Sequence, residues 1–292
     1  MPSAPIFPEI RTILHPSDFT PASEDAFCHA LRLALTAKAD LTLFHVTEDH
    51  HEHWSDIGGV RETLVRWNLL APGSGAETVG RLGLHVRKVT VRGDDPVRAV
   101  RRRLDEAEVN LIVLGTHTRE GMARWLHASS AEPIAREADA MTLFIPEGAR
   151  GFVNRETGAV SLRRVLVPVA TSPSPQRAVW AAARLVSAVG AIEATFHLLH
   201  VGEPDALPPL ALPAGDEERW NRLERTGEVT AGIVQAAREI SADLIVMTTD
   251  GHHGFLDALR GNTTERVLRS ANCALLAVPA PALDARRGPR DA

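Results

Sequence analysis

Two polar loops hold the residues best suited to chemistry. One reads GTHTREG from Gly115 to Gly121 and the other TTDGHHG from Thr248 to Gly254, each directly after a continuous apolar run and ahead of a helical stretch. Glycine lets a backbone approach a phosphate closely, and the free amides that open a helix attract an anion. Gly115, Gly251 and Gly254 give these loops backbone of that kind, and Ser129, Gly261 and Asn262 stand where the following helices open. A plainer reading stands beside this one. Ser129 with Glu132, and Asn262 with Glu265, are spaced as capping boxes, which also open helices that bind nothing. Asp18, just after a short β-type run, can likewise cap a helix or close an Asx-turn.

Other reactive residue types are less organised. His50, His51 and His53 crowd a presumed loop, but no second cluster supplies the fixed spacing of a structural zinc site. His252 and His253 follow Gly251, where they could touch a phosphate or remain surface histidines. There is no GxSxG elbow, no GxxxxGK[ST] loop and no HExxH, so no catalytic residue and no metal site is assigned.

The elements that must position these loops occur twice. RTILHP from Arg11 and RVLVP from Arg164 are short strands, each followed by a turn and an amphipathic helix, near 23–38 and 175–189. A second strand then ends in FHV at Phe44–Val46 or LHV at Leu199–Val201. LIVL from Leu111 and LIVM from Leu244 are continuous apolar strands of the kind buried on both faces. From there to Pro146 and Pro279 the two copies align without a gap, which duplication explains. Strands alternating with helices predict α/β domains with mostly parallel sheets.

The copies differ in the middle. The first has room for a helix near 57–70, a strand near 84–91 and a helix near 96–108. The second fills the corresponding stretch with EPDALPPLALPA from Glu203, which no helix interior tolerates. A lost second helix is expected there, followed by a strand at 220–225 and a helix near 230–240. The expected organisation is a first domain at 1–148, a linker at 149–161, a second domain at 162–280 and a disordered tail at 281–292.

Composition sets outer limits. The 292 residues are 44% hydrophobic and 24% charged with a net charge of −5, so two ordinary globular units are expected and nucleic acid is not an expected partner. Two isolated cysteines form neither a disulfide framework nor a CxxC motif. With no secretory-type start and no apolar run of about 20 residues, the expected location is the cytoplasm, without a membrane partner.

With both loops and the repeat in view, the chain resembles the universal stress protein family, twice over. Members that bind ATP look like GxxG, nine residues, then Gly and Ser or Thr, after an apolar strand. Gly115 and Ser129 match in the first copy, with Thr118 and Ala128 in place of glycines; Gly251 and Gly261 match in the second, with Thr248 and Asn262 departing. The resemblance also implies an acid after the first strand for the adenine side, matched by Asp18 and replaced by Ala170, and backbone contacts at Val46 and Val201. It implies Rossmann-like or flavodoxin-like domains, each a five-stranded sheet of order 3-2-1-4-5 with helices on both faces. Last strands commonly pair in the family, so an internal pseudo-dimer, and a homodimer of the whole chain, are expected. The implied function is that of a stress-response factor binding ATP with magnesium; a scaffold whose sites have decayed, and a weak ATPase, are the alternatives.

Overall fold

A computed structural model describes residues 9–19, 21–47, 59–116, 140–149, 151–203, 209–249 and 263–280. The first half comprises β1 (Thr12–Pro16), α1 (Pro21–Ala37), β2 (Asp40–Thr47), α2 (Val60–Arg66), α3 (Glu77–Arg81), β3 (His85–Arg92), α4 (Pro96–Glu106), β4 (Leu111–Thr116) and β5 (Met141–Pro146). The second comprises β6 (Arg164–Val169), α5 (Gln176–Ala188), β7 (Thr195–Val201), β8 (Trp220–Arg225), α6 (Val229–Glu239), β9 (Leu244–Thr249), α7 (Thr263–Ser270) and β10 (Ala274–Pro279).

The strands form one ten-stranded sheet in the order β3-β2-β1-β4-β5-β10-β9-β6-β7-β8. Each half has the order 3-2-1-4-5 with parallel neighbours, the Rossmann-like arrangement. The halves join where β5 and β10 run antiparallel. Apolar runs such as Leu111–Leu114 and Leu244–Met247 are buried because helices cover both faces. One cluster on α1, α2 and α5 spans both halves, and a second on the opposite face lies under α4, α6 and α7.

The amino ends of the sheet carry the same fastening twice. Asn110 Oδ1 accepts the amides of Arg11 and Thr12 at 2.8 and 3.0 Å, and Asp243 Oδ2 accepts those of Arg163 and Arg164, both at 2.9 Å. Both residues precede the central apolar strand of their half, so one side chain pins the start of the neighbouring strand where ladder bonds run out.

The middles differ in detail from the sequence expectation. The helix expected near 57–70 is described from Val60 to Arg66, closed by Trp67 and a left-handed Asn68 at φ 58°. The short α3, with Gly80 inside it, was not anticipated. In the second half residues 209–213 carry no helix or strand, and a turn with Gly215 at φ 85° follows, closed by the Asp216 amide on Pro213 O at 3.4 Å. Gln176 bonds both backbone groups of Ala211 through its amide, at 2.7 and 2.8 Å, while Leu210 and Leu212 pack on the cluster that α2 serves in the first half.

The stretch read as linker is tightly folded where described. Phe152 is fully buried, Val153 and Val160 form an antiparallel bridge, and Asn154 Oδ1 accepts the amides of Glu156 and Thr157. This strap sits on the first half. His29 Nε2 accepts the amides of Phe152 and Val153 at 3.0 and 3.1 Å, the Trp67 indole donates to Arg155 O at 2.9 Å, and Arg155 pairs with Glu24. The expected tail at 281–292 lies outside the described residues.

Candidate functional site

In an open parallel sheet, ligands gather beyond the carboxyl ends of the strands, at the point where the strand order reverses. Here those points lie between β1 and β4, and between β6 and β9. Three predicted residues come to this end of the first half. Asp18 follows β1 and is exposed, Val46 lies at the end of β2, and Gly115 is the penultimate residue of β4, in register with Ile145. In the second half Val201 ends β7, Ala170 takes the place of the acid, and Thr248 that of Gly115. The Thr248 hydroxyl is buried and has no hydrogen-bond partner among the described residues. Ser129, Gly251, Gly254, Gly261 and Asn262 lie outside the described residues, as do Thr118, Ala128 and the histidines at 50–53 and 252–253.

The turn that carries Asp18 is held on both sides. The Ser17 amide donates to Phe44 O at 2.8 Å, continuing the β1–β2 ladder by one residue. The Ser17 hydroxyl meets that of Ser23 at 3.0 Å, and the Ser17 carbonyl accepts from His45 Nδ1 at 2.7 Å. Phe19 adopts a left-handed φ of 63° and stacks on the His45 ring, with centroids 3.9 Å apart and planes 15° from parallel. A carbonyl can only accept, so His45 carries its proton on Nδ1.

The same latch exists in the second half, where His200 Nδ1 donates to the Val169 carbonyl at 3.2 Å. Ser17 and Val169 are equivalent, since Pro16 pairs with Phe44 as Pro168 pairs with Leu199. In the sequence the HisVal pair is repeated at His45 and His200, but neither histidine carries a motif that gives it a task. That repetition was the available signal. Nothing local to Phe19 announced its stacking, which needs the β1–β2 register to be known.

A third histidine lies deeper. His15, in β1, is buried and donates from Nδ1 to Val113 O at 2.9 Å, while its Nε2 has no partner among the described residues. Burial pushes its pKa down to about 4, partly offset by the Val113 bond and the charge of Asp18. It is therefore neutral near pH 7. Its second-half counterpart is Val167, so this histidine belongs to the core more than to the crevice.

A cleft of about 560 Å³ opens elsewhere, at the amino ends of β1, β2 and β3. Thr12 and Thr42 line it where the second half has the larger Arg164 and His197. Arg87, Arg103, Asp40 and Glu108 give it both signs of charge. It lies at the opposite end of the sheet from the strand-order reversal and shares no residue with the predicted site.

A family model described as the universal stress protein family matches residues 9–146 and 212–279, covering both halves and most of the chain. The chain belongs to the universal stress protein family. Among its relatives, Universal stress protein A homolog 1 of Coxiella burnetii is 42% identical over 61 residues, which are 21% of this chain and 40% of that protein. The chain thus spans less than half the length of that curated relative. A universal stress protein of Archaeoglobus fulgidus DSM 4304 superposes with a TM-score of 0.59 at 15% identity, covering 92% of this chain and 98% of its own. A putative universal stress protein of Pseudomonas aeruginosa UCBPP-PA14 gives 0.55 at 17%, covering 92% and 93%. At such identities these two solved universal stress proteins attest the fold of this one. No described helix of this universal stress protein is long and apolar enough to cross a membrane.

Proposed function

We propose that this tandem universal stress protein is a stress-response factor whose first half binds an adenine nucleotide, ATP with magnesium, beyond the carboxyl ends of β1, β2 and β4. The reading rests on one observation. Only the first half combines an exposed carboxylate after its first strand with a glycine near the end of its fourth. A carboxylate there can accept from the sugar or base of a nucleotide, the backbone at Val46 can bond the base edge, and a residue without a side chain leaves the crevice open. ATP would enter with its phosphates toward the segment after Gly115, and magnesium would offset their charge. In the second half Ala170 offers no side-chain acceptor, and Thr248 fills the strand end with a side chain.

A second reading follows from that contrast: the second half is a structural and partner-binding unit that completes the sheet. Mass spectrometry of small molecules released by denaturing the purified protein tests the first. An adenine nucleotide at up to one per chain, and a rise in melting temperature with ATP and magnesium that Asp18→Ala removes, support it. No released nucleotide and no shift would leave only the second.

A further inference from the structure

We infer that His45 is a positioning residue that fixes the orientation of Asp18, an inference whose functional side rests on the nucleotide reading above. One imidazole grips both neighbours of Asp18. Its Nδ1–H holds the Ser17 carbonyl at 2.7 Å, and its face carries the Phe19 ring at 3.9 Å. Phe19 has a left-handed backbone, a conformation that costs an L-residue energy and persists where the surroundings enforce it. The stack on His45 is such an enforcement. The Ser17 amide on Phe44 O and the Ser17 hydroxyl beside Ser23 anchor the other side of the turn. Asp18 is left as the exposed residue between two fixed ones.

The second half separates the two parts of the device. His200 keeps the bond to the carbonyl after the first strand, so the latch belongs to the scaffold of both copies. Thr171 stands in the position of Phe19 and Ala170 in that of Asp18, so the stacking ring and the acid are absent together. An aromatic clamp on the turn is present only where there is a carboxylate to orient. A carboxylate held in one direction loses less freedom on accepting a ligand's hydrogen bonds, which is how a residue that never touches the ligand raises affinity.

Two measurements on the full chain test this. Without ligand, amide exchange by NMR reads the turn: His45→Ala is expected to speed exchange at Asp18 and Phe19 about tenfold or more while β5 and β10 stay protected. His45→Asn, whose amide nitrogen lies as many bonds from Cβ as Nδ1, is expected to restore most of the protection. Unchanged exchange at 17–19, or loss of protection throughout the first half, overturns the positioning role. With ATP and magnesium, calorimetry compares His45→Ala, Asp18→Ala and the double variant. Each single change is expected to weaken binding by about tenfold, and the double change no more than Asp18→Ala alone, since one acts through the other. Additive losses overturn the inference. An unsubstituted protein that binds no nucleotide sinks the proposed function instead, and the exchange data still decide what His45 does to the turn.

Discussion

Leu143 of β5 stands directly opposite Leu276 of β10 in the antiparallel seam, and the two are the same position of the duplicated sequence. Aligning Pro146 with Pro279 makes them equivalent, and the flanking pairs obey the same exchange. Phe144 faces Leu275, and Thr142 faces Ala277, each pair being the mirror of the other under the repeat. This is the pattern of an isologous two-fold interface, made here within one chain.

Both leucines are fully buried in the cluster that spans the halves. Leu143→Ala and Leu276→Ala are each expected to destabilise the protein by about 2–5 kcal/mol, measured as a fall in the urea midpoint. The double variant should depart from additivity because the side chains are neighbours. The unsubstituted chain should unfold in a single transition, and two well-separated transitions would show that the seam does not couple the halves.

Acid should weaken the fold through two histidines. Burial pushes His15 and His29 down to about 4 each, from an ordinary value of 6.5. The folded state keeps them neutral while the unfolded chain binds protons, so their contribution is complete above pH 6.5 and falls away as the pH drops to about 4. The full span is worth roughly 3 kcal/mol per histidine. His15→Val copies the second half, where Val167 holds this position, and should flatten the pH dependence of the denaturation midpoint between 4 and 6.5. His29→Gln keeps an acceptor for the strap amides while removing the titration, and should act in the same direction. A pH profile unchanged in both variants would contradict this account.

The strap predicts its own weak point. Gly158 has φ 67°, and a Cβ there would collide with the Trp67 indole. Gly158→Ala therefore combines left-handed strain with overpacking and should cost about 2–4 kcal/mol. Limited proteolysis gives the local readout: cleavage within 154–160 should appear in the variant before cleavage elsewhere.

The cysteines should be inert. Burial pushes the thiols of Cys28 and Cys273 up to about 12, and both are free. Iodoacetamide at pH 8 should leave the native mass unchanged and add two groups after denaturation, because the thiolate is the nucleophile.

Much of this architecture is visible in the sequence because it is local and written twice. The apolar strands at Leu111 and Leu244, the repeated HisVal and the equal run to Pro146 and Pro279 carry the fold without any knowledge of contacts. The strap is not legible in that way. Its order comes from His29, Trp67 and Glu24, distant in sequence, and the turn formers between Gly151 and Gly158 read as loop because these partners lie in α1 and just past the end of α2. The site divides similarly. Asp18, Val46 and Gly115 are singled out by the family resemblance of the residues around them, while the grip of His45 on Ser17 and Phe19 exists only once β1 and β2 are in register.

The β5–β10 seam has a consequence for how this molecule can change. In an assembly of two identical chains, every substitution appears on both sides of the axis at once, and the pairing weakens on dilution by mass action. Covalent linkage holds the second copy at a high effective concentration whatever the amount of protein present. It also frees each copy from its twin, so Asp18 could be kept while its counterpart became Ala170, and a single gene can carry two halves with separate fates.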